Sequence, residues 1–280
     1  MVTATGGCKT LNKEKRARKR KSFMQTHSQK SLVLLAIIVI GVVTAKGQAV
    51  TNTPAKPKWV SDVSAGLTLT RGNSDTTLAS LTAATDRKTD MDEWSLGANA
   101  TYGKARVTVN GVNESSTTAQ QADAFLQYNY LFTARFYGYA RVEGLHDDVA
   151  DVHYRLTVGP GLGYYLVKNK RMDFSLELGP GFISQELGSV RQNYAILRGA
   201  EKFHLQLSDR ARVWESAQID PDVENWGNYI ITAEIGVEAD LMANKSLSLQ
   251  CYVDDTYDSK PAVGRLKNDA KTVVAIDYKF

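Results

Sequence analysis

From residue 58 to the C-terminal Phe280 the chain alternates apolar and polar positions with a period of two, in runs of 10 to 16 residues. In "NYIITAEIGVEADLM" the residues Tyr229, Ile231, Ala233, Ile235, Val237, Ala239 and Leu241 share one face, and Thr232, Glu234, Gly236, Glu238 and Asp240 share the other. "RMDFSLELGPGF" does the same, with Met172, Phe174, Leu176 and Leu178 opposite Asp173, Ser175 and Glu177. No long segment carries apolar residues at helical spacing. The pattern predicts strands near 58–71, 75–87, 92–106, 118–133, 135–147, 153–168, 171–186, 191–208, 209–219, 228–242, 245–256 and 270–280, twelve in all.

Two architectures alternate in this way. A soluble sandwich or lipocalin turns the apolar face inward and uses strands near five or six residues. A transmembrane barrel turns it outward to lipid and needs about 9–11 residues per tilted strand. The runs here have the second length. The connections point the same way: tight ones ("KTDM", "NK", "SDR", "ANK") alternate with longer polar ones ("VTVNGVNESSTT", "DPDVENWG", "YDSKPAVGRLKND"), as short periplasmic turns alternate with outer loops. None of the outer loops has the length of an obvious plug. The fold expected is all-β, an antiparallel transmembrane β-barrel of the outer-membrane type with about 12 strands, preceded by a cleaved signal peptide.

The last strand supports a closed sheet. Val274, Ile276, Tyr278 and Phe280 fall on one parity up to the final residue. A strand that pairs with the first one cannot fray. An apolar strand ending on an aromatic also has the form of an assembly signal read by the barrel-assembly machinery.

Charge changes the picture at the other end. Up to Ala49 there are ten Lys and Arg against Glu14 alone, so the remainder holds 24 basic and 29 acidic residues although the whole chain is +4. A basic stretch ("NKEKRARKRKSF") followed by 14 apolar residues from Leu32 to Ala45 reads as an export signal, since that run is short for a membrane span. Residues 1–49 are expected to be the signal peptide, with Met24 an alternative start, 50–57 a periplasmic linker, and 58–280 the barrel. Basic charge confined to such a leader argues against nucleic-acid binding. Cys8 and Cys251 leave no internal disulfide once the leader is removed.

At "SAGLTLTRGNSDTT" and "RLTVGPGLGYYLVKNKRMDFSLELGPGF" the chain resembles the salt-induced outer-membrane proteins, a domain of unknown function family (481). The resemblance runs through Gly66 to Asn73 and Gly159 to Tyr164 and covers roughly 58–280. It implies an outer-membrane barrel with a role in envelope integrity or osmotic stress, and it brings no catalytic or binding residues with it.

Strand parity places Arg141, Glu143, Arg155, Asp173, Glu177, Glu234, Glu238 and Asp240 in the lumen. A buried charge there must be paired or wet. Paired networks would plug the barrel, and a wet excess of acids would favour cations. Gly159, Gly161, Gly163, Gly179 and Gly181 share the lumen parity and leave room for bulky side chains. Pro160 and Pro180 fall opposite one another about Lys170, which predicts a shared bulge or a non-hydrogen-bonded pair. His146, Asp148, Asp151 and His153 lie in one outer loop, but their spacing matches no defined ligand motif, so no metal or cofactor is expected. No serine has a nucleophile-elbow context, and His204 reads as a rim or lumen residue rather than a base.

These readings converge on a monomeric, non-enzymatic barrel in the outer membrane of a Gram-negative-type bacterium, in contact with outer-membrane lipid and lipopolysaccharide. Periplasmic chaperones and the assembly machinery are its expected partners during biogenesis. Its role is either envelope integrity or permeation as a small cation-preferring porin. A soluble periplasmic binding protein and an outer-membrane lipid enzyme are the remaining readings.

Overall fold

The computed structural model describes residues 59–70, 74–109 and 112–280, with side chains at 69–70, 74–75, 107–109 and 112–113 set aside. The leader, the linker, Met24, Cys8 and the Gly72–Asn73 turn lie outside the described residues. Twelve strands follow in order: β1 Trp59–Thr70, β2 Ser74–Lys88, β3 Asp92–Val109, β4 Val112–Leu131, β5 Phe136–Asp147, β6 Val152–Lys168, β7 Met172–Leu187, β8 Val190–Ser208, β9 Ala211–Pro221, β10 Tyr229–Asp240, β11 Leu247–Asp258 and β12 Asn268–Lys279. Each pairs antiparallel with its sequence neighbours, and β12 pairs with β1, so the sheet is a closed barrel. The closing seam is short, from Asp62 opposite Lys279 to Gly66 opposite Ala275. Beyond it the backbone N–H of Phe280 donates to Ser61 O at 2.9 Å, so the terminal residue is tied into the sheet.

The outer surface is apolar and the inner one polar. Leu67, Leu81, Leu162, Leu178, Ile235 and Val274 are exposed, whereas Glu93, Gln127, Glu177, Glu238 and Asp277 are buried. A soluble core has the opposite order, so the exposed belt is a lipid-facing one. Val274, Ile276, Tyr278 and Phe280 all face outward, and the Tyr278 and Phe280 rings stack at 6.2 Å. Tyr130, Phe132 and Phe136 cluster at the same end of neighbouring strands, giving that end an aromatic rim.

Two expectations change. The long polar loop expected after β3 is mostly strand, because the β3–β4 hairpin continues to Val109 and Val112, with one bulge at Gly103/Lys104. Its Thr, Val and Ser residues suit a pleated ribbon, and above the lipid both faces of a ribbon meet water, so polarity does not mark a loop there. Nor is the outer mouth free. The nine-residue connection 259–267 between β11 and β12 buries Ala262 against Val152 and Leu187, with Leu145 and Ala150 beside them. Those residues belong to β5–β7 and their loop, on the opposite wall, so this loop roofs the barrel despite its modest length.

At Pro160 and Pro180 the β6–β7 pairing runs to Val158 opposite Phe182, lapses, and resumes at Leu162 opposite Leu178 in the same register. The irregularity is a gap rather than a bulge. Two facing prolines cannot supply the ladder donors, and the glycines beside them let the backbones close in. A Cβ on Gly159 would stand 2.5 Å from the Pro180 carbonyl oxygen.

Candidate functional site

The interior divides into two sides. On the β3–β8 side, two buried carboxylates are enclosed by donors. Glu177 accepts from Gln127 Nε2 (2.8 Å), Tyr137 OH (3.0 Å), Arg198 Nη1 (2.8 Å) and Lys202 Nζ (3.1 Å). Glu93 accepts from Tyr165 OH (2.6 Å), Lys168 Nζ (2.8 Å) and Asn129 Nδ2 (3.2 Å). Gln127 donates to Asn129 at 2.9 Å and joins the two centres. Burial of a carboxylate is costly unless it is met by charge and hydrogen bonds together, and both conditions hold here.

Beside this network a cavity of about 430 Å³ is lined by residues of β2 through β11, from Thr256 and Ile230 at the outer end to His204 and Asp86 at the turn end. Its electrostatics differ from those of the packed side. Each lining cation is held in an ion pair: Arg141 with Glu143 (2.9 Å), Arg155 with Asp258 (2.8 Å), and Arg198 and Lys202 with Glu177 (2.8 and 3.1 Å). Four lining acids have neutral partners only. Asp86 accepts from Ser95, Asp123 from Asn99 and Gln121, Asp220 from Gln218, and Glu234 from Trp214. No cation lies within 4.0 Å of these four among the described residues.

Three features close the outer end. Arg155 crosses from β6 to Asp258 on β11, and Lys271 of β12 reaches Gln121 of β4 at 3.1 Å while pairing with Asp254 at 3.1 Å. Above them sits the 259–267 loop. Its base is fixed by Asp258 N–H to Lys267 O (2.7 Å), by Ser259 N–H to Tyr229 O (3.0 Å), and by Tyr229 N–H to Ser259 Oγ (2.7 Å). A smaller chamber of about 140 Å³ lies beneath this roof and shares Gln121, Arg155 and Asp254 with the main cavity.

Lumen glycines shape the walls. Tyr137 faces Gly163, Tyr139 faces Gly161, Phe125 faces Gly97 and Trp214 faces Gly236 across adjacent strands. In each pair a Cβ on the glycine would overlap the ring, so the aromatic lies flat on the wall instead of projecting into the lumen. The bulky groups these glycines accommodate come from the next strand and not from across the barrel.

The eight residues assigned to the lumen by parity play unlike parts. Glu177 is enclosed; Glu238 is held at the turn end by Arg212, Lys279 and Gln250. Asp240 lies 3.8 Å from Lys279, Asp173 pairs in register with His204, and Glu234 remains in the cavity. Sequence reasoning missed Glu93, Asp123, Arg198, Lys202, Asp220 and Lys271. The outer histidines are satisfied separately. His146 Nδ1 lies 2.8 Å from the His153 carbonyl and its Nε2 3.2 Å from Asp148, while His153 meets Asp151 (3.7 Å) and Glu186 (3.4 Å). Among the described residues no group of three or more His, Cys, Asp or Glu is placed to hold a metal ion.

A closed antiparallel sheet with a lipid-facing exterior, a charged interior and an internal cavity defines a transmembrane β-barrel. The chain belongs to the family described as Protein of unknown function, DUF481, which matches residues 63–280. No curated protein matches it. Among solved structures it is similar to the NanC porin (10% identity, 79% of this chain and 98% of that one, TM-score 0.48). It is also similar to an outer-membrane channel from Pseudomonas putida F1 (10%, 85% and 100%, TM-score 0.44). A third is the translocator domain of the autotransporter NalP from Neisseria meningitidis (12%, 96% and 96%, TM-score 0.42).

Proposed function

We propose that this barrel is a narrow, cation-preferring channel of a Gram-negative-type outer membrane, roofed at its outer mouth by the 259–267 loop. The observation that carries the reading is the imbalance along the cavity: Asp86, Asp123, Asp220 and Glu234 have only neutral partners, while every lining cation is already neutralised. A wet passage lined in this way raises the local concentration of cations and repels anions. Location in the outer membrane, with lipopolysaccharide outside and the barrel-assembly machinery reading the last strand, is supported by the outward Val274–Phe280 row. The export leader expected from the sequence supports it as well.

The test is the reversal potential of the refolded chain, residues 50–280, in a planar bilayer under a KCl gradient. The proposal expects a potential on the cation-selective side that moves toward zero in Asp123→Asn/Glu234→Gln. Anion preference, or an unchanged potential in the double variant, contradicts it. Absence of current from a folded barrel, in the wild type and after the roof is disrupted, favours the sealed reading. The barrel would then serve envelope integrity, a role the enclosed Glu93–Glu177 network also suits.

A further inference from the structure

We propose that the passage contains a subsite for a small organic ammonium ion, formed by Trp214 and Glu234. The inference rests on the reading of the cavity as an accessible passage and adds to it the class of solute held there.

The subsite is built around a missing side chain. Gly236 of β10 faces Trp214 of β9 on one side and Tyr252 of β11 on the other. With no Cβ at 236, the Trp214 indole lies flat across the glycine, and its ring is tilted 48° to Tyr252 with centroids 6.3 Å apart. Trp214 Nε1 donates to Glu234, which fixes the ring and sets a carboxylate at its edge. An indole and an anion are thereby brought to one level of the lumen, with Tyr252 packed beside the indole, a combination that recognises alkylammonium groups.

The other lumen rings show what is different here. Arg141 lies 4.4 Å over Phe125, Arg198 5.2 Å over Tyr139 and Lys168 4.0 Å over Tyr165. Those three faces already hold a cation of the chain. Among the described residues none lies over Trp214, although indole has the strongest quadrupole of the aromatic side chains. Glu234 faces Asp254 in register, and since Asp254 is met by Lys271 at 3.1 Å, Glu234 is the carboxylate at the ring that no cation neutralises. A hard metal ion would need several oxygen ligands converging on one point, whereas a weakly hydrated ammonium needs only the ring faces and a nearby charge. The 430 Å³ of free space admits an ion the size of tetramethylammonium.

The experiment is saturation-transfer NMR of the methyl protons of tetramethylammonium with the refolded barrel in detergent, with ionic strength held constant with NaCl. The wild type is expected to give a saturable signal. Trp214→Leu should weaken apparent affinity roughly five- to thirty-fold, Trp214→Phe less, and Glu234→Gln should also weaken it. Folding of each variant is checked by its heat-dependent gel mobility, and should Trp214→Leu not fold, Trp214→Phe and Glu234→Gln decide. No saturable signal from the folded wild type, or equal affinity across the folded variants, overturns the subsite. Binding is read here without current. A barrel that conducts but does not bind therefore removes the subsite alone, and one that binds but never conducts removes the channel alone.

Discussion

The two sides of the lumen use the same residue types and arrange them oppositely. Between β3 and β8, Glu93 and Glu177 are 4% exposed, and each is met by at least one cation and by neutral donors. Around the cavity, Asp123 of β4 and Glu234 of β10 border free space and are met by amide or indole N–H groups alone. A carboxylate removed from water must be compensated fully, while one in contact with water need not be. The enclosed side therefore holds the barrel together, and the open side is free to set the charge that a passing ion meets.

Removing one carboxylate from each side should break this symmetry of composition most visibly. Glu177→Ala leaves the buried Arg198 guanidinium without its carboxylate and should cost about 3–5 kcal/mol in urea unfolding of the detergent-folded barrel. Glu234→Gln should cost under about 1 kcal/mol in the same measurement, since only an indole N–H loses its charged acceptor. Equal losses would mean that the two sides are not distinct.

A smaller effect is expected from adding a methyl under a ring. In Gly163→Ala the new Cβ meets Tyr137, which is 1% exposed and has nowhere to move, so a loss of about 2–3 kcal/mol is expected. In Gly236→Ala the Trp214 ring can lift into the cavity. Its cost should be nearer about 1 kcal/mol and should appear mainly as reduced conductance. The roof is expected to affect opening more than folding. Ala262→Asp places a charge among Val152, Leu187 and Leu145 and should release a contact whose burial amounts to about 1–2 kcal/mol. Folding should be nearly unchanged and the open fraction in bilayer recordings should rise roughly tenfold.

Much of the fold was legible because a lipid-facing sheet must alternate, and in β7, β10 and β12 it does so over most of each strand, with Ile183, Leu187, Ile230 and Val273 as buried apolar residues on the lumen parity. The facing of Pro160 and Pro180 could likewise be read from their equal distance to Lys170. β8 was less transparent. "YAILRGAEKFHLQL" carries Glu201 on the outward parity, opposite the exposed Leu176 of β7, and Glu215 of β9 falls on the same face opposite Phe203. With charges on both faces, Arg198 and Lys202 did not stand out as lumen residues. Ala262 was illegible for another reason. A lone alanine in a polar loop gives no signal, and its burial depends on apolar ends of strands far away in sequence. The division of the lumen was equally hidden, since parity says which side chains point inward but not which of them touch across it.

The most direct test of a passage beside the enclosed network is cysteine accessibility in a Cys251→Ser background, which removes the exposed native thiol. Ser216 lines the cavity, whereas Ser175 is buried on the enclosed side. Ser216→Cys should react with a water-soluble methanethiosulfonate in the folded barrel, and Ser175→Cys should react only after unfolding. Protection at both positions would mean a lumen sealed throughout and would contradict the account, as would equal reaction at both.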